Sequence, residues 1–474
     1  MMPFYQTSCS RNSSKAEQEK PTSLDSQPSF RSVPSIKSLC HDQSFSRNLE
    51  TQHQCIANLK GQNSYTSSLV LGGKFLFTGS SDKEICMWEQ KALTSTIDAS
   101  IIDTVIAGEG AVKSLVILAD KVFSAHQDHK IRVWRIENHD TDTPKIVHLA
   151  TLPILSDRAF KFMLPKNHVQ IRRHKKSTWV HHVDTVSALA LSNNKSFLYS
   201  VSWDRTLKIW RTSDFKCLES IANAHDDAIN ALEISQDGDV FTGSADKRIK
   251  MWRKEEKKHL LVCTLEKHRS GVNALAVGRS STSTHSVLYS GACDRSILVW
   301  EKDENGEMVL VGALRGHKKS ILCLAVVADL VCSGSEDKTV RVWRGVERCY
   351  SCLSVISGHS GPVKCLTVTS DQQIPSDTNS SYVLYTASLD GETKVGRFLF
   401  LFSKAICMMN MVKICQLTYL YTIFCIIDCW ASDLEKKISA KFQLFFLFSW
   451  IVYSIEKGYH YEMIMLLKLG NHFD

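Results

Sequence analysis

Residues 199–210 read YSVSWDRTLKIW: a run of β-favouring residues, a turn around Asp204, then Leu207, Ile209 and their neighbours in alternation up to Trp210. Two such runs flanking a turn residue are the pattern of a β-hairpin. The plan returns at 77–88 (FTGSSDKEICMW), 123–134 (FSAHQDHKIRVW), 241–252 (FTGSADKRIKMW), 289–300 (YSGACDRSILVW), 332–343 (CSGSEDKTVRVW) and 385–396 (YTASLDGETKVG). The aspartates are Asp82, Asp128, Asp204, Asp246, Asp294, Asp337 and Asp390. Six residues after the first six stand Trp88, Trp134, Trp210, Trp252, Trp300 and Trp343. Four residues before each Asp stands a Ser or Thr: Thr78, Ser124, Ser200, Thr242, Ser290, Ser333 and Thr386.

A further strand precedes each hairpin, and five of these strands follow a loop histidine: His182, His225, His268, His317 and His359. Gln62 and Gly108 stand at the aligned positions of the first two units. Most aspartates are 42 to 53 residues apart, the length of a four-stranded blade. One blade cannot bury both faces, so blades stack radially and a closed ring leaves only short edges. The expected fold is all-β, with seven blades over residues 51–395.

Over roughly residues 55–395 the chain resembles the WD-repeat family of β-propellers, although the family's Trp-Asp ending appears mostly as Trp-Arg, at Trp134, Trp210, Trp252 and Trp343. The resemblance implies a buried hydrogen-bonded tetrad in each regular blade. These are His182, Ser200, Asp204 and Trp210; His225, Thr242, Asp246 and Trp252; His268, Ser290, Asp294 and Trp300; and His317, Ser333, Asp337 and Trp343. Residues 149–192, with LATLPILSDRAFKFMLPKNHV and QIRRHKKSTWVHHVDTVSALALS, are similar to plant Jingubang-type WD-repeat proteins. That resemblance implies a regulator that binds transcription factors in cytoplasm and nucleus.

Residues 1–50 hold 12 serines and four prolines with no apolar cluster, and are expected to be a disordered arm. His53–Lys60 (HQCIANLK) is the candidate outer strand of the seventh blade, a clasp between chain ends. The seventh unit has Gly396 where tryptophan belongs, and alternation stops in RFLFLF, so the repeat is expected to break mid-strand. Residues 396–474 have no proline and a Phe/Ile/Leu/Tyr/Lys-rich usage like that of translated AT-rich non-coding DNA. A retained intron or faulty gene model is the expectation; a membrane anchor using Ile414–Trp430 and Phe442–Ile455 is the rival.

Apolar residues make up 43% and charged residues 22%, as in soluble globular proteins, and a net charge of +8 does not argue for nucleic acid. No secretory signal opens the sequence, so most of the 16 cysteines are expected to be reduced thiols in an intracellular protein, cytoplasmic or nuclear. Recurring Ser, His and Asp invite a catalytic reading, but four equivalent copies suit scaffolding better. Cys349–Cys352 is a CxxC without the second pair that structural zinc needs, and His126 and His129, flanking the blade-two turn, are expected as polar side chains at the surface rather than metal ligands. No glycine-rich phosphate loop is present. No catalytic, cofactor or metal residues are therefore assigned.

Two features read as recognition. The residues before the aspartates, Ser81, Gln127, Trp203, Ala245, Cys293, Glu336 and Leu389, are expected on the loop face, with Trp203 a candidate anchor. Trp134 and His182 lie 48 apart where other blades need 15 to 17, so blade two carries an insertion within about 136–176. It ends in the basic run Arg172, Arg173, His174, Lys175 and Lys176, followed by Trp179. Either ATLPIL or the QIRRHKK stretch could form blade two's outer strand. The function expected is a monomeric, non-enzymatic scaffold for protein partners such as transcription factors, without a small-molecule substrate. The alternatives are a ubiquitin-ligase substrate receptor and a propeller tethered to a membrane through the tail.

Overall fold

The computed structural model describes residues 49–59, 64–90, 101–137, 144–162, 168–172, 175–279, 286–346, 349–371 and 379–402. The Ser-rich arm, apart from its last two residues, and the tail beyond 402 lie outside them. Seven four-stranded antiparallel sheets follow one another, with the sequence order of strands kept inside the first six. The blades run 66–106, 112–152, 186–221, 229–265, 272–315, 321–356 and 363–402. The innermost strand of each blade touches that of the next, and the seventh returns to the first, around a central channel.

The hairpin stretches form the second and third strands of their blades. The second strands, such as Phe75–Ser80 and Val240–Ser244, are buried along their whole length because a neighbouring blade covers each face. The core is accordingly a chain of clusters at blade boundaries. Between blades two and three, for instance, Phe123, Ile131 and Val133 meet Val186, Leu189, Leu198 and Trp210.

Every innermost strand carries a β-bulge at its second residue, where Ser67, Lys113, Ser187, Asn230, Asn273, Leu322 and Lys364 fall out of register with their partner strand. Four of these side chains bridge to the next blade. Ser67 donates to the carbonyl of Val112, Ser187 to Ile229 (2.5 Å), Asn230 to Val272 (3.1 Å) and Asn273 to Ile321 (2.9 Å).

The clasp is longer than the sequence pattern indicates. Leu49–Leu59 pairs with Thr393–Phe402 from Leu49–Phe402 to Leu59–Thr393, with a register shift between Cys55 and Ala57, and Thr393–Phe402 continues through Gly396 without a break. The expected stop at 395 is therefore corrected. RFLFLF does not alternate, but it is an inner strand with a partner on each edge, and Phe398 packs among Leu330, Val363, Leu366 and Leu384. Among the described residues, no helix is long and apolar enough to cross a membrane.

Blade two's outer strand is Lys145–Leu152, which contains the start of ATLPIL. The insertion proper follows it: an α-helix, Leu155–Phe162, then a two-stranded hairpin, His168–Arg172 with Lys175–Thr178, that joins no blade. Asp157 fastens the helix to blade three, where its carboxylate accepts from the Cys217 amide (2.9 Å).

Leu59 is 5% exposed and packs with Val383, Tyr385 and Val395 of blade seven and Leu76 and Trp88 of blade one. In urea denaturation of the full chain, Leu59→Ala should lose about 2–4 kcal/mol. Leu260→Ala, at a side chain 47% exposed, should stay within about 0.5 kcal/mol. Equal effects would mean that the clasp does not hold the ring.

Candidate partner-binding face

Each hairpin turn is fixed to the entry of its own innermost strand by one repeated bond. The amides of Ser81, Gln127, Trp203, Ala245, Cys293, Glu336 and Leu389 donate to the carbonyls of Tyr65, Ala111, Thr185, Ala228, Gly271, Ser320 and Pro362, at 2.9–3.1 Å. The seven positions therefore share one face, as expected. Trp203 is 38% exposed there, with Val183 beside it at 37%, since the Val183 amide donates to Asp204 of the same turn (2.9 Å). Leu389 is exposed on blade seven.

Beneath the turns lie the tetrads. In blade three the Trp210 indole donates to Ser200 Oγ (2.9 Å), His182 Nε2 lies 2.8 Å from the same oxygen, and His182 Nδ1 lies 3.2 Å from Asp204. A carboxylate can only accept, so Nδ1 carries the imidazole proton and Nε2 accepts from the serine hydroxyl. His225 with Thr242, Asp246 and Trp252, His268 with Ser290, Asp294 and Trp300, and His317 with Ser333, Asp337 and Trp343 repeat this within 2.8–2.9 Å. The hydroxyl-bearing residues are fully buried and their hydroxyls are engaged twice, so these serines offer no nucleophile to a substrate.

Blade two builds the same support from other residues. His126 is buried, not surface polar as its place beside the turn indicates; it lies 2.7 Å from Ser124 Oγ, to which Trp134 also donates (2.7 Å). Arg132 binds Asp128 through both guanidinium nitrogens (3.1 and 2.6 Å). The guanidinium occupies the space a side chain at residue 108 would need, and Gly108, at φ +107°, leaves it open. Blade one keeps Trp88 to Thr78 (3.1 Å), while Asp82 has buried carboxylate oxygens with no hydrogen-bond partner among the described residues.

Blade seven keeps His359 Nε2 at 2.9 Å from Thr386 but has no indole. A Cβ on Gly396 would lie 2.7 Å from His53 Nε2, so the exposed clasp histidine crowds the position where the other blades carry tryptophan. Ligand atoms of His359, Asp390 and Glu392 lie within 4.8 Å of one another, but Lys394 Nζ sits 2.9 Å from Glu392, which disfavours a cation there. Cys352 pairs opposite Trp343 in blade six's outer strand and is an exposed free thiol.

The insertion residues separate into two kinds. Trp179 is half-buried against the cluster containing Leu152 and Val180, and its carbonyl accepts from Lys208 Nζ (2.5 Å). It seals the boundary of blades two and three rather than standing free. Arg172 and Lys175–Lys176 lie on the two strands of the added hairpin, while Arg173 and His174 lie outside the described residues. A separate cleft on the opposite face, about 430 Å³, is lined by Arg279, Glu301, Asp329, Tyr289 and Tyr350. Burial pushes the Tyr289 hydroxyl up to about 12, despite its bond to Tyr350.

Burial lowers His182, His317 and His359 against the opposing pull of their aspartates, and takes His126 down to about 4. Burial alone would raise Asp246 and Asp337. The His225 side chain dominates in holding Asp246 at about 2, and the Thr339 hydroxyl with the Lys318 amide holds Asp337 there. All these folded-state values lie below the unfolded ones, so the unfolded chain binds more protons and stability falls on acidification. The melting temperature should drop from pH 6.5 to pH 4 through the histidines, and further as the carboxylates protonate. A flat profile by circular dichroism would contradict the buried neutral histidines. Gly396→Trp combined with His53→Ala should raise stability by about 1–3 kcal/mol in urea, and Gly396→Trp alone by less.

The profile of the WD domain, G-beta repeat, matches residues 53–89, 173–211, 215–253, 260–301, 308–344 and 350–395, together half of the chain. The span it passes over holds blade two, whose support is rebuilt. Telomerase protein component 1 of Rattus norvegicus is 25% identical over 248 residues, 49% of this chain and 9% of its own. Autophagy-related protein 16 of Arabidopsis thaliana is 22% identical over 300 residues, 61% and 48%. The small ribosomal subunit protein RACK1 of Drosophila melanogaster is 35% identical over 97 residues, 20% and 29%. The chain thus spans about half or less of the length of these relatives. With seven closed blades and six matched repeats, the chain belongs to the WD-repeat family of β-propellers, whose members typically act as non-enzymatic scaffolds that bind other proteins.

Proposed function

We propose that this chain is a non-enzymatic scaffold that holds protein partners on the turn face, with Trp203 as its anchor. The observation that carries the reading is an exposed indole on a backbone fixed by the Trp203–Thr185 bond, with Val183 exposed beside it. Preordered aromatic side chains lose little entropy on binding and commonly dominate interface energies. The added hairpin with Arg172, Lys175 and Lys176 is a second contact, on a segment that no blade needs for its sheet. The likeness of residues 149–192 to Jingubang-type proteins supports a plant regulator working in cytoplasm and nucleus, with transcription-factor or signalling partners. The relatives' names span telomerase, autophagy and the ribosome, so they support the platform without selecting a process.

Affinity capture from plant extract with the full chain should retain specific proteins that Trp203→Ala loses, with no change in melting temperature. A charge-reversed 172–176 run should remove a different subset. If both variants keep every partner of the parent, these surfaces are not the binding site.

A further inference from the structure

The residue after each turn aspartate is in the left-handed backbone region: Lys83, His129, Arg205, Lys247, Arg295, Lys338 and Gly391, at φ between +66° and +86°. Glycine is the residue that takes this conformation without strain. Only blade seven uses it; five blades place a lysine or arginine there instead, and all five side chains are exposed with no ion pair among the described residues. Several acidic side chains on the same face are engaged, while Glu109 is exposed with no ion pair and Asp82 has buried carboxylate oxygens without a hydrogen-bond partner, both among the described residues. Asp226 binds Arg248 (2.5 Å), Glu336 binds Lys319 (3.2 Å), Glu392 binds Lys394, and Asp184 and Asp227 accept from the following amides.

A second feature lies at the channel mouth on this face. Four of the seven bulge residues bridge to the neighbouring blade, whereas Lys113 and Lys364, on either side of Ser67, make no hydrogen bond or ion pair among the described residues. Burial and the charge of Lys364 hold Lys113 down at about 8, so it is still mostly charged at neutral pH. An anion between these lysines would relieve both their mutual repulsion and the desolvation of Lys113.

We propose that the turn face receives a carboxylate-rich segment of a partner protein, seated at the channel mouth on Lys113 and Lys364 and steered by the ring of Lys83, Arg205, Lys247, Arg295 and Lys338. The inference rests on the scaffold reading and names the chemistry of its partner. Like-signed charges gathered around a concave mouth raise the local concentration of an oppositely charged ligand and speed its arrival. The ring sets the rate of encounter, and the two channel lysines set the residence time.

The test is fluorescence anisotropy of the full chain with a labelled Glu-rich peptide, at low and physiological salt. Lys113→Met with Lys364→Met should weaken binding at least about tenfold. Lys247→Gly, Arg295→Gly and Lys338→Gly together should slow association and flatten its salt dependence, yet raise the melting temperature, because glycine relieves the left-handed strain. Lys364→Gln alone, at an exposed site, covers the case in which the double variant does not fold. The proposal is overturned if the peptide does not bind at low salt, if the variants bind like the parent, or if duplex DNA of equal charge binds more tightly. None of these results touches the capture by Trp203, so this proposal can fail while the scaffold reading stands.

Discussion

Everything on the turn face depends on one buried oxygen per blade. In blades three to six that hydroxyl, Ser200 in blade three, lies between an indole and an imidazole, and so joins the second strand, the third strand and the incoming loop. The imidazole then reaches the aspartate of the turn. A satisfied bond of this kind contributes about 1 kcal/mol, but leaving one member unpaired in the interior costs more. The arrangement therefore either forms whole or fails, and the loop and turn it joins are held in one geometry. That rigidity is what makes an exposed side chain such as Trp203 usable as an anchor.

Blade two shows which part of this device is fixed and which is free. Its loop supplies Gly108 instead of histidine, yet an imidazole still meets Ser124 and an N–H donor still meets Asp128. The ring nitrogen comes from His126, two residues along the same strand, and the donor from Arg132 on the next. The chemistry at the oxygen is kept while the residues that supply it change. Blade seven goes without the indole, and the exposed His53 of the clasp lies where a side chain at Gly396 would begin.

Blades three to six were legible in the sequence because each carries its histidine, hydroxyl, aspartate and tryptophan at offsets set by local strand geometry. The fixed spacing reports contacts within a blade. What the sequence concealed depends on contacts between distant segments. Phe398 lies in a run without alternation, since the clasp strand covers its far edge and blade six covers a face. His126 reads as polar beside a turn because Gly108 shows that the loop lacks a histidine but not which residue takes its place. Trp179 reads as part of the recognition segment after the basic run, but Leu152 and Val180 lie against it. The outer strand of blade two was ambiguous for a similar reason, as the helix and hairpin that follow it have their own β-like and basic patterns.

The pairing of Leu49–Leu59 with Thr393–Phe402 also sets an order of events during synthesis. The first strand leaves the ribosome long before its partner exists, and it has no other sheet to join. Blades one to six can each zip locally as their four strands emerge, but the circle cannot close until the last of them is made. Through that interval the apolar faces of the first blade, with Leu76 and Trp88, wait uncovered. The nascent chain thus has its longest-lived sticky surface at its oldest end, where a chaperone would have the most time to act.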